Sequence, residues 1–193
     1  MEVLRSMKNG EQYTLLNYNR GNNSSSIDKY DYTTLEKVET ILSSNDSEAI
    51  PGFSSYSFSE DESKVLLATE LEPIYRHSKL GIYYVYDIAS KSAVKVSNEK
   101  IQEPLLSPDG RQVAYVRANN LYIFNIGSGE TSQITNDGES NKVINGITDC
   151  LGVLAYVRCV FPEHHKNRFR GSLLYSVYQM DEQFRLFKCN DSQ

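Results

Sequence analysis

The run Gln112-Val113-Ala114-Tyr115-Val116-Arg117 is apolar in the middle and polar at both ends. Its side chains alternate with a period of two, which predicts a short strand. Ser107-Pro108-Asp109-Gly110 leads into it, and proline followed by Asp-Gly is turn chemistry. A second short strand is predicted at Leu121-Tyr122-Ile123-Phe124-Asn125-Ile126. A turn at Gly127-Ser128-Gly129 and a third strand ending Gln133-Ile134-Thr135 complete the unit.

The same plan recurs upstream. Ser59-Glu60-Asp61-Glu62-Ser63-Lys64-Val65-Leu66-Leu67-Ala68-Thr69 repeats the turn and first strand, Tyr84-Val85-Tyr86-Asp87-Ile88 the second strand, and Lys95-Val96-Ser97-Asn98 the third. A looser copy opens the chain at Met7-Lys8-Asn9-Gly10-Glu11-Gln12-Tyr13-Thr14-Leu15-Leu16, continuing at Lys29-Tyr30-Asp31-Tyr32. Three copies at a period of about 50 residues, each a turn and several short strands, predict propeller blades. The expected fold class is therefore all-β: a partial β-propeller of about three blades, each an antiparallel four-stranded sheet. A solenoid fits less well than a propeller, because no copy carries a helical period. Between its first two strands the middle copy holds about ten extra residues, within 70–82, and insertions of this kind project from one rim, where partners and substrates are met.

Composition narrows the class. The 193 residues suffice for one domain or for part of a larger one. Fourteen tyrosines and no tryptophan favour strands, where aromatic side chains fit a pleated surface. A net charge of -5 provides no basic footprint for nucleic acid. No apolar run is long enough for a transmembrane helix, and Met1-Glu2-Val3-Leu4-Arg5 lacks the apolar core of a signal peptide. The expectation is either a cytosolic protein or a targeting segment outside this chain.

A change falls near Asp149. Residues 1–149 carry 14 Lys+Arg against 21 Asp+Glu, whereas 150–193 carry 6 against 4. All three cysteines, Cys150, Cys159 and Cys189, lie in the second part, an odd number that makes no disulfide framework. The expected division is 1–149, propeller blades, and 150–193, a divergent tail.

The insertion carries Tyr75-Arg76-His77-Ser78, followed by Tyr83-Tyr84-Val85-Tyr86-Asp87-Ile88. Further on come Leu106-Ser107-Pro108-Asp109-Gly110, Asn119-Asn120-Leu121-Tyr122-Ile123 and Ile144-Asn145-Gly146-Ile147-Thr148-Asp149. In this order these segments resemble the N-terminal propeller of the dipeptidyl peptidase IV family, in the prolyl oligopeptidase clan of serine peptidases. The resemblance covers roughly residues 5–149. It implies an eight-bladed propeller capping an α/β-hydrolase domain, with the active site between them and N-terminal dipeptides or tripeptides released, often after proline. It also implies that Arg76 binds a carbonyl of the peptide substrate. The alternative is a turn arginine paired with Glu70 or Glu72. An extracellular, periplasmic or cell-envelope location is implied by the resemblance alone.

The pattern then breaks. Where the family continues with a tryptophan and glutamates that hold the substrate's amino terminus, this chain reads Cys150-Leu151-Gly152-Val153-Leu154-Ala155-Tyr156-Val157-Arg158. Three readings stay open: a shifted frame or truncation, an internal deletion, or a genuinely different C-terminal segment. The deletion reading notes that Leu154-Ala155-Tyr156-Val157-Arg158 resembles Val113-Ala114-Tyr115-Val116-Arg117. Gly171-Ser172-Leu173-Leu174-Tyr175-Ser176-Val177-Tyr178 reads as a strand under any of them. Cys159, His164, His165 and Cys189 offer zinc-ligand chemistry without paired-ligand spacing, so no metal is expected.

The sequence contains no Gly-x-Ser-x-Gly elbow and no Gly-rich phosphate loop, so no catalytic residue and no cofactor are expected, and the chain alone is expected to be inactive. Within the intact enzyme its expected partners are peptide substrates and the missing α/β-hydrolase domain. Exposed strand edges would favour a homodimer of the isolated chain. The alternative function is a non-enzymatic propeller module of the cell envelope that binds a protein partner.

Overall fold

Two kinds of side-chain-locked turn recur along the chain and set the frame of each sheet, as seen in a computed structural model. The structure describes residues 4–19, 21–22, 24–45, 50–74, 78–140, 143, 145–146, 176–180 and 184–188. In the first kind of turn, the backbone N–H groups of Met7, Ser59 and Ser107 each donate to a carbonyl five residues on, all at 2.9 Å. The carbonyls of the same three residues accept from Gly10, Glu62 and Gly110, which sit at φ +71°, +58° and +65°. Asn9, Asp61 and Asp109 then accept from the N–H two residues ahead, each at 3.1 Å. Short polar side chains that bond their own backbone stabilise such turns.

The second kind connects the third and fourth strands. The carboxamide or carboxylate oxygens of Asp31, Asp87 and Asn125 cap N–H groups two or three residues ahead. Four residues beyond each cap, Leu35, Lys91 and Gly129 take positive φ.

Between these turns the chain forms three antiparallel four-stranded sheets. The first runs β1 (Leu4–Ser6), β2 (Gln12–Asn19), β3 (Ser24–Asp31), β4 (Lys37–Ser43). The second runs β5 (Ser55–Phe58), β6 (Lys64–Pro73), β7 (Lys79–Asp87), β8 (Ser92–Lys95). The third runs β9 (Ile101–Leu106), β10 (Gln112–Arg117), β11 (Asn120–Asn125), β12 (Thr131–Gln133). A separate hairpin pairs β13 (Ser176–Met180) with β14 (Phe184–Lys188). Met1–Lys100, with the first two sheets, and Ile101–Gln193, with the third sheet and the hairpin, form two units.

Each sheet matches a predicted copy, with one strand more than the residues named for the second and third copies and two more, β1 and β4, than those named for the first. Of the additional strands, β1, β5 and β9 precede the marked turns. The predicted alternation also differs in its consequence. Val113, Ala114, Tyr115 and Val116 are all buried, as are Val65, Leu66, Leu67 and Ala68. These central strands are covered on both faces, so side-chain direction alternates while polarity does not.

In the first unit the two sheets pack face to face. Leu16, Ile27 and Leu42 of the first meet Tyr56, Val65, Leu67 and Tyr86 of the second, with Ile50 and Phe53 between them. Polar bonds pin this interface: Thr14 and Tyr56 share a buried hydroxyl–hydroxyl bond of 2.7 Å. The Ser25 hydroxyl donates to the Phe53 carbonyl at 2.6 Å and accepts from the Phe53 N–H at 3.0 Å. In the second unit Ala114, Val116, Leu121 and Ile123 form the core, with Ile134 packed against it.

Candidate functional site

The insertion within 70–82 is an extension of two strands. β6 runs to Pro73 and β7 begins at Lys79, so the hairpin continues well beyond the sheet it belongs to. The Ile74 N–H donates to the Ser78 carbonyl at 3.0 Å and closes its far end. Arg76, the residue expected to bind substrate, belongs to the connection 75–77, which lies outside the described residues.

A β-bulge sets where the extension departs. The register runs Thr69↔Ile82 and then Glu72↔Leu80, so Glu70 and Leu71 together face Gly81. Glu70 sits at φ +49°. A bulge of this kind bends its strand and sharpens the local twist, which aims the outer part of the hairpin in a new direction. Gly81 has no side chain because there is no room for one: a Cβ there would lie 2.6 Å from Leu71 Cδ2 and 3.1 Å from the Thr69 carbonyl oxygen. Beside the bulge the buried Thr69 hydroxyl donates to the Ile82 carbonyl at 3.0 Å.

The two carboxylates of the bulged strand share one cation. Lys100 Nζ lies 2.5 Å from Glu72 Oε1 and 4.0 Å from Glu70 Oε2. The glutamates expected as alternative partners of Arg76 thus have a described partner in Lys100.

The corresponding connection of the third sheet, between β10 and β11, is a tight turn with Ala118 and Asn119 at φ +48° and +60°. The motif residue Asn145 grips it. Asn145 is 5% exposed, and both its N–H and its Nδ2 donate to the Asn119 carbonyl at 3.1 Å. Nδ2 also donates to Asp137 Oδ1 at 3.1 Å. Gly146, at φ +75°, lies so close to Val116 and Leu121 that a Cβ would come within 2.9 Å and 3.3 Å of them. Asn120 Oδ1 accepts from the Gly138 N–H at 2.9 Å and from the Thr135 hydroxyl at 3.2 Å. The motifs at 75–78 and 144–149 therefore attach to the same connection, second strand to third, of successive blades.

Tyr115 and Tyr122 stack across β10 and β11 with ring centroids 5.5 Å apart, and the Arg117 guanidinium lies over Tyr122 at 4.5 Å. Among the described residues no group of His, Cys, Asp and Glu is arranged to hold a metal ion. Cys150, Cys159, His164, His165 and Cys189 lie outside them, as does the sequence expected to differ from the family at 150–158. Of the strand expected at 171–178, the structure describes residues 176–178 as the start of β13.

Sequence reasoning had a signal for one further residue. Gly81 is an isolated glycine within a strand pattern, which marks a bulge or a close approach. Lys100 carried none, since it lies 28 residues from Glu72.

These sheets are propeller blades, the second of them with an elongated, bulged connection. Residues 59–151 match the family described as the dipeptidyl peptidase IV N-terminal region. A probable dipeptidyl-aminopeptidase B of Chaetomium globosum is 36% identical over 95 residues, 47% of this chain and 10% of that protein. The human prolyl endopeptidase FAP is 35% identical over 113 residues, 57% of this chain and 15% of that protein. The crystal structure of Porphyromonas gingivalis dipeptidyl peptidase 4 superposes with a TM-score of 0.68 at 35% identity, over 77% of this chain and 21% of that one. The chain is thus similar, over residues 59–151, to the N-terminal propeller region of the dipeptidyl peptidase IV family, and its matched part spans a small fraction of the length of these relatives.

Proposed function

We propose that the chain is the N-terminal propeller segment of a serine exopeptidase that releases N-terminal di- or tripeptides, often after proline. Its similarity to a peptidase family supports the class of activity. The observation that carries the finer reading is the elongated hairpin of β6 and β7. It stands where the first and third blades have short connections, and its connecting segment contains Arg76.

Arg76 is the proposed substrate ligand. A guanidinium presents several donors in a fixed fork, suited to a peptide carbonyl. Lys100 already serves the two glutamates of β6, which supports an arginine committed elsewhere. The reaction itself would belong to an α/β-hydrolase domain, with the propeller gating access and binding the peptide. The proposed location is periplasmic, extracellular or at the cell envelope, and a homodimer is the proposed assembly of the isolated chain.

Arg76→Ala in the full-length peptidase tests the site. Losing a charged hydrogen bond of about 1.5–3 kcal/mol predicts a fall in kcat/KM of roughly 10- to 150-fold on a Gly-Pro substrate. Unchanged turnover removes the site.

A second reading, a protein-binding propeller module without enzymatic role, is favoured by the absence of the family's glutamates after Asp149. Resequencing the coding DNA across codons 145–155 separates the two. A tryptophan and glutamate run in another frame supports the peptidase, and confirmation of the present frame favours the binding module.

A further inference from the structure

We propose that Lys100 is a positioning residue that clamps the bulge of β6 and so fixes the direction of the hairpin leading to Arg76. The inference rests on the reading of Arg76 as a substrate ligand.

A bulge alone leaves a strand free to flex, because the extra residue is unpaired in the ladder. Here the two residues flanking Leu71 both carry carboxylates, and one ammonium reaches both, at 2.5 Å and 4.0 Å. Glu70 is itself the residue at positive φ, and Glu72 is the first residue paired again beyond the bulge. The clamp therefore joins the two sides of the irregularity. Lys100 comes after the last strand of the same sheet, and its side chain is 29% exposed, whereas the two glutamates are 65% and 62% exposed.

Exposed ion pairs contribute little to global stability. The bulge, however, stands at the base of a lever. A small change in its angle displaces the end of the hairpin, and a misplaced binding group costs affinity without altering the chemical step. The clamp thus predicts a change in KM with kcat preserved.

The experiment has two arms. In the 193-residue chain, amide exchange of Ile74, whose N–H bonds to the Ser78 carbonyl, is compared with that of the core strand residue Leu67. Lys100→Met is expected to speed exchange at Ile74 by about 5- to 20-fold, leave Leu67 and the melting midpoint unchanged, and be reversed in Lys100→Arg. Equal exchange in both variants and the parent overturns the clamp. In the full-length peptidase, Lys100→Met is expected to raise KM for a Gly-Pro substrate about 3- to 10-fold with kcat kept, and Lys100→Arg to restore it.

Arg76→Ala separates the two ideas. If Arg76→Ala lowers kcat/KM and Lys100→Met leaves KM unchanged, the positioning role falls while the Arg76 reading survives. Should Arg76→Ala have no effect, the reading on which the proposal rests fails, whatever the exchange data report.

Discussion

At the residue scale, backbone positions that demand a left-handed conformation or no side chain decide more than composition does. Gly138 is the strictest. A Cβ there would lie 2.4 Å from the Asn119 carbonyl oxygen and 2.7 Å from its carbon, both backbone atoms that cannot swing aside. Gly138→Ala is expected to cost about 1–3 kcal/mol by urea unfolding. The turn carboxylates give a pH signature. The hydroxyls of Ser59 and Ser63 hold the Asp61 carboxyl down to about 2 from the ordinary 3.8. Asp109 is lowered by the Ser107 hydroxyl, and Asp87 by the Ser90 N–H. A carboxylate with a depressed folded pKa contributes stability that is complete above its unfolded value and lost as pH falls through the folded one. The melting midpoint should therefore fall between about pH 4 and pH 2, and less steeply in Asp61→Asn. A slope unchanged in that variant would show that Asp61 makes no such contribution.

At the scale of elements, the packed pair of sheets and the treatment of their edges matter most. Leu67 is fully buried between the first and second sheets. Leu67→Ala is expected to destabilise by about 2–5 kcal/mol, the range for leucine truncation in a packed core, measured by denaturant unfolding. The outer strands are built differently. β4 shifts register twice against β3 within seven residues and exposes Val38, while β1 and β12 are three residues long. Short or bulged strands make poor templates for another chain. The strand pattern of the middle of each blade was legible because turn residues and apolar runs recur together. β1, β5 and β9 were not, because they carry no marked turn at their start and their place depends on pairing with the next strand. The extension of β6 and β7 was visible only as extra length.

At the scale of the whole molecule, the described interactions of the three blades lie within residues 4–146, and β13 pairs with β14. A chain ending at Asp149 measures what residues 150–193 contribute to the unit they share with the third sheet: a melting midpoint within about 3 °C of the parent, less than about 1 kcal/mol would produce, means that they contribute little. A larger loss would mean that residues 150–193 contribute to the blades.

The sequence by itself determined the repeat, the class of fold and the likeness to the dipeptidyl peptidase IV family, since each blade is specified locally by two turns whose Asp, Asn and Ser side chains bond their own backbone. It also singled out Arg76 by motif, and it placed Asn145 within a second motif. Only the tertiary structure decided how those motifs are held. Lys100 reaches Glu70 and Glu72 from the end of the sheet, and Asn145 grips a turn 26 residues earlier. Such contacts depend on the folding of strands that lie far apart in the chain, and no local pattern of residues encodes the angle at which a bulge releases a hairpin.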